Sequence, residues 1–95
     1  MAAYIIAMVN VTDQDKYKNY MVKAKEACEK YGGTYLARGG DTQIMEGAFP
    51  WSRVVVLQFD SMEQARAFYN SAEYQAGKKE REGAADFNMM IVQGA

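Results

Sequence analysis

The chain contains no histidine, which removes the commonest general base, the commonest metal ligand and the usual axial ligand for haem. A single cysteine, Cys28, excludes a disulfide framework and any CxxC centre. One proline, Pro50, leaves the helices and strands uninterrupted by that residue. Eleven basic against twelve acidic residues give a net charge of -1, so there is no field of one sign for nucleic acid or an acidic membrane surface. The apolar opening Tyr4–Val9 has no basic residues ahead of it and ends at Asn10, so it reads as a buried strand and not as an export signal. With a reduced cysteine the expected compartment is the cytoplasm.

What is present describes a folded domain. Of the 95 residues, 49% are hydrophobic and 13% aromatic, too many for a disordered tail, and the 24% that are charged are too many for a membrane protein. Surface scaling gives roughly 5,500 Å² folded against about 15,500 Å² extended, enough burial for one modest core. Residues 1–95 are therefore read as a single domain.

The periodicity sets out its elements. Tyr4–Val11 is apolar at odd and even positions alike, as in a strand covered on both faces. Thr12 and Asp13 offer N-caps to a helix whose stripe is Tyr17, Tyr20, Met21, Ala24, Cys28 and Tyr31, with Lys25/Glu29 and Glu26/Lys30 paired on its solvent side. Gly32-Gly33 ends it. Thr34–Ala37 reads as a strand that breaks at Arg38-Gly39-Gly40-Asp41 and resumes over Thr42–Glu46, with Gly47–Ser52 as a hairpin loop. Arg53–Phe59 is a central strand. Ser61-Met62-Glu63-Gln64 opens a helix as a capping box, Ser71 recaps a second piece running through Tyr74 and Arg81 to Gly83, and Phe87–Gln93 is the last strand. This order, with right-handed crossovers, folds most simply as the split βαβ or ferredoxin-like α+β sandwich: a four-stranded antiparallel sheet, first and third strands central, two helices on one face. Both faces of that sheet are apolar: Tyr4, Ile6 and Met8 oppose Ile5, Ala7 and Val9, and Val54 and Val56 oppose Val55 and Leu57. A monomer would leave too large a patch uncovered, so the expected partner is a second copy packed on the open sheet face.

Several side chains carry candidate chemistry, each with a structural alternative. Arg38 before Gly39 and Gly40 would hold a carboxylate, the glycine amides forming an anion nest; otherwise the glycines kink an edge strand and Arg38 pairs with an acid. Glu46 and Arg53 flank the hairpin and read as a cross-strand ion pair, with a general base as the alternative for Glu46. Tyr69, Tyr74 and Arg81 straddle the helix break; Tyr74 and Arg81, seven apart, share a helical face and would line a pocket for a polar aromatic or carboxylate ligand, or else pack at a dimer interface. Without histidine a base would be Glu46, Glu73 or Asp86 with a raised pKa. Trp51 is an interface aromatic or a pocket lid. Cys28 reads as buried filler, as do Met8, Met45, Met62, Met89 and Met90. No zinc, nucleotide or catalytic-triad pattern is present, so the expectation is a chain without metal or cofactor.

The chain resembles, over essentially its whole length, the family known as domain of unknown function 1330. The resemblance rests on Val11-Thr12-Asp13, Tyr17 and Tyr20, Tyr31-Gly32-Gly33, Leu36-Ala37-Arg38-Gly39-Gly40, Glu46-Gly47, Arg53-Val54-Val55-Val56, Phe59, the segment Tyr69–Gln75, Arg81 and Met90–Gly94. Gln14 and Ala72 depart from it, standing where family members often carry proline. The resemblance implies the dimeric α/β-barrel superfamily, which includes cofactor-independent quinol monooxygenases, muconolactone isomerases, haem-degrading enzymes and chlorite dismutases. The haem branches need a histidine that this chain lacks. The family brings no established reaction, so the readings left are a cofactor-independent oxygenase or isomerase of an aromatic or carboxylic substrate, and a non-catalytic ligand-binding or structural dimer. The residues taken forward as substrate-binding are Arg38, Gly39, Gly40, Tyr69, Tyr74 and Arg81.

Overall fold

The computed structural model describes residues 1–95. Its elements are β1 (Ala3–Val11), α1 (Gln14–Lys30), β2 (Thr34–Arg38), β3 (Arg53–Phe59), α2 (Met62–Asn70), α3 (Ala72–Glu80) and β4 (Ala85–Gln93). The strands lie in the order β2-β3-β1-β4, each pair antiparallel, so β1 and β3 are central as expected. The helices cover one face, which makes a ferredoxin-like sandwich of 5917 Å² surface, close to the size rule. No helix is long and apolar enough to cross a membrane.

Alternation divides the strand residues between two environments. Ala3, Ile5, Ala7 and Val9 of β1 and Leu57 and Phe59 of β3 are buried beneath the helices. Their neighbours Tyr4, Ile6, Met8, Val54 and Val56 face the other way and are only half-buried, with Met90 and Val92 of β4 exposed beside them. The apolar second face read from the sequence is therefore real, and in a single chain it is open.

Asp13 caps α1, its carboxylate accepting from the Lys16 amide at 3.1 Å. After α1 the chain turns sharply under Phe59. A Cβ on Gly33 would lie 2.6 Å from both Cys28 Sγ and the Phe59 ring, so only glycine lets β2 start there. The helix stripe is buried through Tyr17, Tyr20, Ala24, Ala27 and Cys28. Cys28 is filler as expected, and burial pushes its thiol up to about 11.

Four expectations are corrected. The helical layer holds three helices instead of two: the recapping at Ser71 is as expected, but with Ser71 extended (φ -65°, ψ 150°) the pieces on either side are separate helices, α2 and α3. No strand forms over Thr42–Glu46: after Gly39 the chain leaves the sheet, and residues 39–52 form an irregular connection. That segment is held at its end by Asn10, which donates to the Pro50 carbonyl (2.7 Å) and accepts from the Ser52 amide (2.8 Å). Met45 and Met90 are exposed and Met8 faces the open side, so among the five methionines only Met62 and Met89 pack on the core. The two pairs along α1 are absent; Lys30 instead reaches Glu73 of α3, and Asp15–Lys18 pair at 3.9 Å.

Candidate functional site

Between α1 and the sheet lies a cavity of about 30 Å³, room for a water or two. Its walls are apolar and aromatic, among them Tyr17, Tyr20, Met21, Leu57, Phe87 and Met89. Two arginines, Arg38 and Arg53, interrupt them. The site follows from how these are placed.

Arg53 opens β3 opposite Val9, with the same parity as Leu57 and Phe59, so its side chain runs beneath the helices and not toward solvent. Its guanidinium donates to Met21 Sδ at 3.6 Å and lies 5.9 Å from the Tyr17 ring centre. Its Nε is buried without a hydrogen-bond partner, and no carboxylate lies within 4.0 Å of it. The expected Glu46–Arg53 pair is thus corrected: Glu46 sits in the exposed connection and Arg53 in the cavity. Gly39 makes room for it. With φ +71° and a hypothetical Cβ 2.0 Å from Arg53 Nη1, Gly39 lets the backbone lie directly on the guanidinium. The Gly39 amide is committed to the Val54 carbonyl at 2.9 Å, and Gly40 is exposed with nothing within 4 Å of its Cβ position, so the two glycines do not form an anion nest. Arg38 stands at the mouth on the edge strand β2, its guanidinium 4.6 Å from the Tyr35 ring centre and unpaired with any acid.

The other end of the cavity is phenolic. Tyr20 and Tyr74 share a buried hydroxyl–hydroxyl bond of 2.9 Å, and Tyr74 is fully buried. Arg81 donates to Tyr74 Oη at 3.5 Å, and its guanidinium lies 3.7 Å from the Phe87 ring centre and 5.2 Å from that of Tyr20. Burial holds the Tyr20 phenol well above its ordinary value, with Tyr74 adding to the effect. Burial raises Tyr17 as well, against the opposing pull of Arg53, and pushes Tyr35 up to about 12. These phenols are hydrogen-bond donors at neutral pH, not bases.

The residues singled out in the sequence fall into two groups. Arg38 and Gly39 meet Arg53 on the β2 side. Tyr69, Tyr74 and Arg81 come together on the β4 side, where Tyr69 packs on Tyr74 (5.3 Å between ring centres) and opens onto a surface cleft. Arg38 lines the cavity, whereas Tyr74 and Arg81 are not among its lining residues, so the three do not share it. Of the candidate bases, Glu73 is part-exposed and held below the usual carboxylate range by its hydrogen bond from Lys30, and Asp86 is exposed on the open sheet face. No three Cys, Asp or Glu side chains gather as a metal site. Trp51 lies edge-on against Phe49 at 5.3 Å, outside the cavity lining. Tyr17, Tyr20 and Arg53 were missed as site residues. Arg53 had a signal, its parity with Leu57 and Phe59; the tyrosines had none beyond their place in a core stripe.

The fold and site define a ferredoxin-like α+β sandwich with an arginine-lined, phenol-walled cavity between its layers. The chain matches the family described as Domain of unknown function (DUF1330) over residues 2–95 and belongs to it. A search of curated proteins finds no match. Among solved structures, it is similar to a protein of unknown function from Rhodopseudomonas palustris (TM-score 0.79, 16% identity, covering 99% of this chain and 82% of that one). It is also similar to a dimeric ferredoxin-like protein of unknown function from a Jannaschia species (0.79, 9%, covering 99% and 100%). A third is SnoaB, a cofactor-independent oxygenase from Streptomyces nogalater (0.69, 7%, covering 99% and 93%). At these identities the likeness is one of fold.

Proposed function

We propose that this chain is a small-molecule binding protein that takes a compact carboxylate with an apolar or aromatic body into the cavity, and that it works as a homodimer packed through its open sheet face. One observation carries the ligand class: the Arg53 guanidinium is sunk among aromatic side chains with a buried Nε unpartnered and no carboxylate near it. A part-buried cation without a counter-ion is costly, and an incoming anion relieves that cost with charge-assisted bonds. The closed space accommodates the carboxylate; the ligand's body lies in the mouth between Met21, Tyr35 and Arg38, the last of which is exposed and able to swing.

Binding is favoured over turnover because the cavity holds donors and no base. The oxygenase or isomerase reading, supported by the fold likeness to SnoaB, then requires a substrate that ionises by itself, with protonated phenols and guanidinium groups stabilising the oxyanion. A thermal-shift screen of small carboxylates, phenols and quinols on wild type and Arg53→Gln tests this. Carboxylates should raise the Tm of wild type and not of the variant. Equal shifts in both would remove Arg53 as the anchor, and incubation of each hit under air would show whether any is consumed.

A further inference from the structure

Outside that cavity, β4 and α3 enclose an open cleft of about 340 Å³ whose polar groups are Tyr69, Lys78 and Arg81. Its apolar lining comes from both sides of β4: Phe87, Met89 and Ile91 turn toward the helices and Met90 toward the open sheet face. Lys78 donates to Tyr69 Oη at 2.8 Å and has no acidic partner. Arg81 also lacks one, and its Nε is buried and unsatisfied. The cleft therefore gathers two cations and a phenol over an apolar floor, with no acidic side chain in its lining. The hydrogen bond from Lys78 lowers the Tyr69 pKa, as expected where positive charge is uncompensated.

We infer that this cleft is a second binding site, separate from the Arg53 cavity, for a planar aromatic carboxylate whose carboxyl group bridges Lys78 and Arg81. The Arg81 guanidinium stacks on Phe87 and donates through Nη2 to Tyr74 Oη, which leaves Nη1 to take one carboxylate oxygen while Lys78 takes the other. The ring of the ligand lies on Met89, whose thioether is a favourable partner for an aromatic face, and Met90 borders the cleft from the other side of β4. Tyr69 supplies a directional hydroxyl at the rim.

Phe87 and Met89 line both sites, but methionine methyl groups separate them, because Met21 lines the cavity and not the cleft, and Met90 the cleft and not the cavity. In the full chain labelled at its methionine methyls, a benzoate titration followed by NMR should shift Met90 saturably. Lys78→Gln should weaken that response by about tenfold or more, the loss expected of one charge-assisted bond, while Lys78→Arg should keep it. Benzyl alcohol, equal in ring and lacking the charge, should leave Met90 unmoved. In Arg53→Gln the Met90 response should persist even where Met21 no longer responds. An unmoved Met90 would overturn the inference, as would equal responses to benzyl alcohol or in Lys78→Gln. A Met90 response lost together with Met21 in Arg53→Gln would show a single site and would also refute it. A silent Met21 beside a responding Met90 would count against the cavity reading alone.

Discussion

At Arg53 the local sequence and the tertiary structure disagree in an instructive way. An arginine at the start of a strand after a loop suggests a solvated end, and its apparent partner was Glu46. The parity of β3 places it instead with Leu57 and Phe59, under the helices. Arg38 was legible because Arg-Gly-Gly is conspicuous, yet the glycines serve a different end from the one their spacing suggests: Gly39 is a floor for the Arg53 guanidinium. Gly39→Ala should cost about 1 kcal/mol through its positive φ alone, read as a lowered urea midpoint. It should also displace the guanidinium and weaken carboxylate binding more than it weakens the fold. Unchanged affinity would mean that Arg53 reaches its ligand without that support. The Cys28 thiol and the Tyr35 phenol set a pH limit as well. Cys28 and Tyr35, raised to about 11 and about 12, are fully stabilising only below their unfolded values of about 9 and about 10. Stability should therefore fall from about pH 9 upward and go on falling to about pH 12, as equilibrium unfolding across that range would show.

Among the elements, the long apolar stripes were the most legible and the β2–β3 connection the least. Helix α1 carries a stripe, a cap and a glycine stop that agree with one another, so every local signal points the same way. Residues 42–46 have strand-like composition, but β2 is a short edge strand with a bulge between Tyr35 and Ala37, and nothing pairs with the chain once it passes Gly39. Composition alone does not reveal the lack of a pairing partner. The Ser71 break was legible as a cap. Its Oγ accepts from the Tyr74 amide at 3.0 Å and donates to the Phe68 carbonyl at 2.7 Å, so one buried hydroxyl ends α2 and starts α3. It thereby sets Tyr74 against Tyr20. Ser71→Ala should cost about 1–2 kcal/mol, a Tm loss of at least about 4 °C in a domain of this size. A loss under 1 °C would show that the helix junction is fixed by packing instead.

The whole molecule is a sandwich with one filled layer and one bare one. The filled interface between helices and sheet holds the cavity. The open face, where Ile6, Met8, Val54 and Val56 are joined by the exposed Leu36 and Val92, is the surface proposed for a second copy, and its apolar character was legible from strands apolar at every position. Val56 stands on the central strand β3, opposite Ile6 of β1, so Val56→Lys should give a folded monomer by sedimentation at micromolar concentration where wild type sediments as a dimer. A wild-type monomer would remove the dimer from the account. The functional claim rests on the Arg53 guanidinium, which has no acidic partner in an aromatic cavity. A crystal structure of the protein grown with benzoate tests it most directly. The account predicts a carboxylate within hydrogen-bond distance of the Arg53 guanidinium, with Arg38 moved aside at the mouth. An Arg53 paired with an acidic side chain of its own chain, or a cavity without benzoate at saturating concentration, would contradict it.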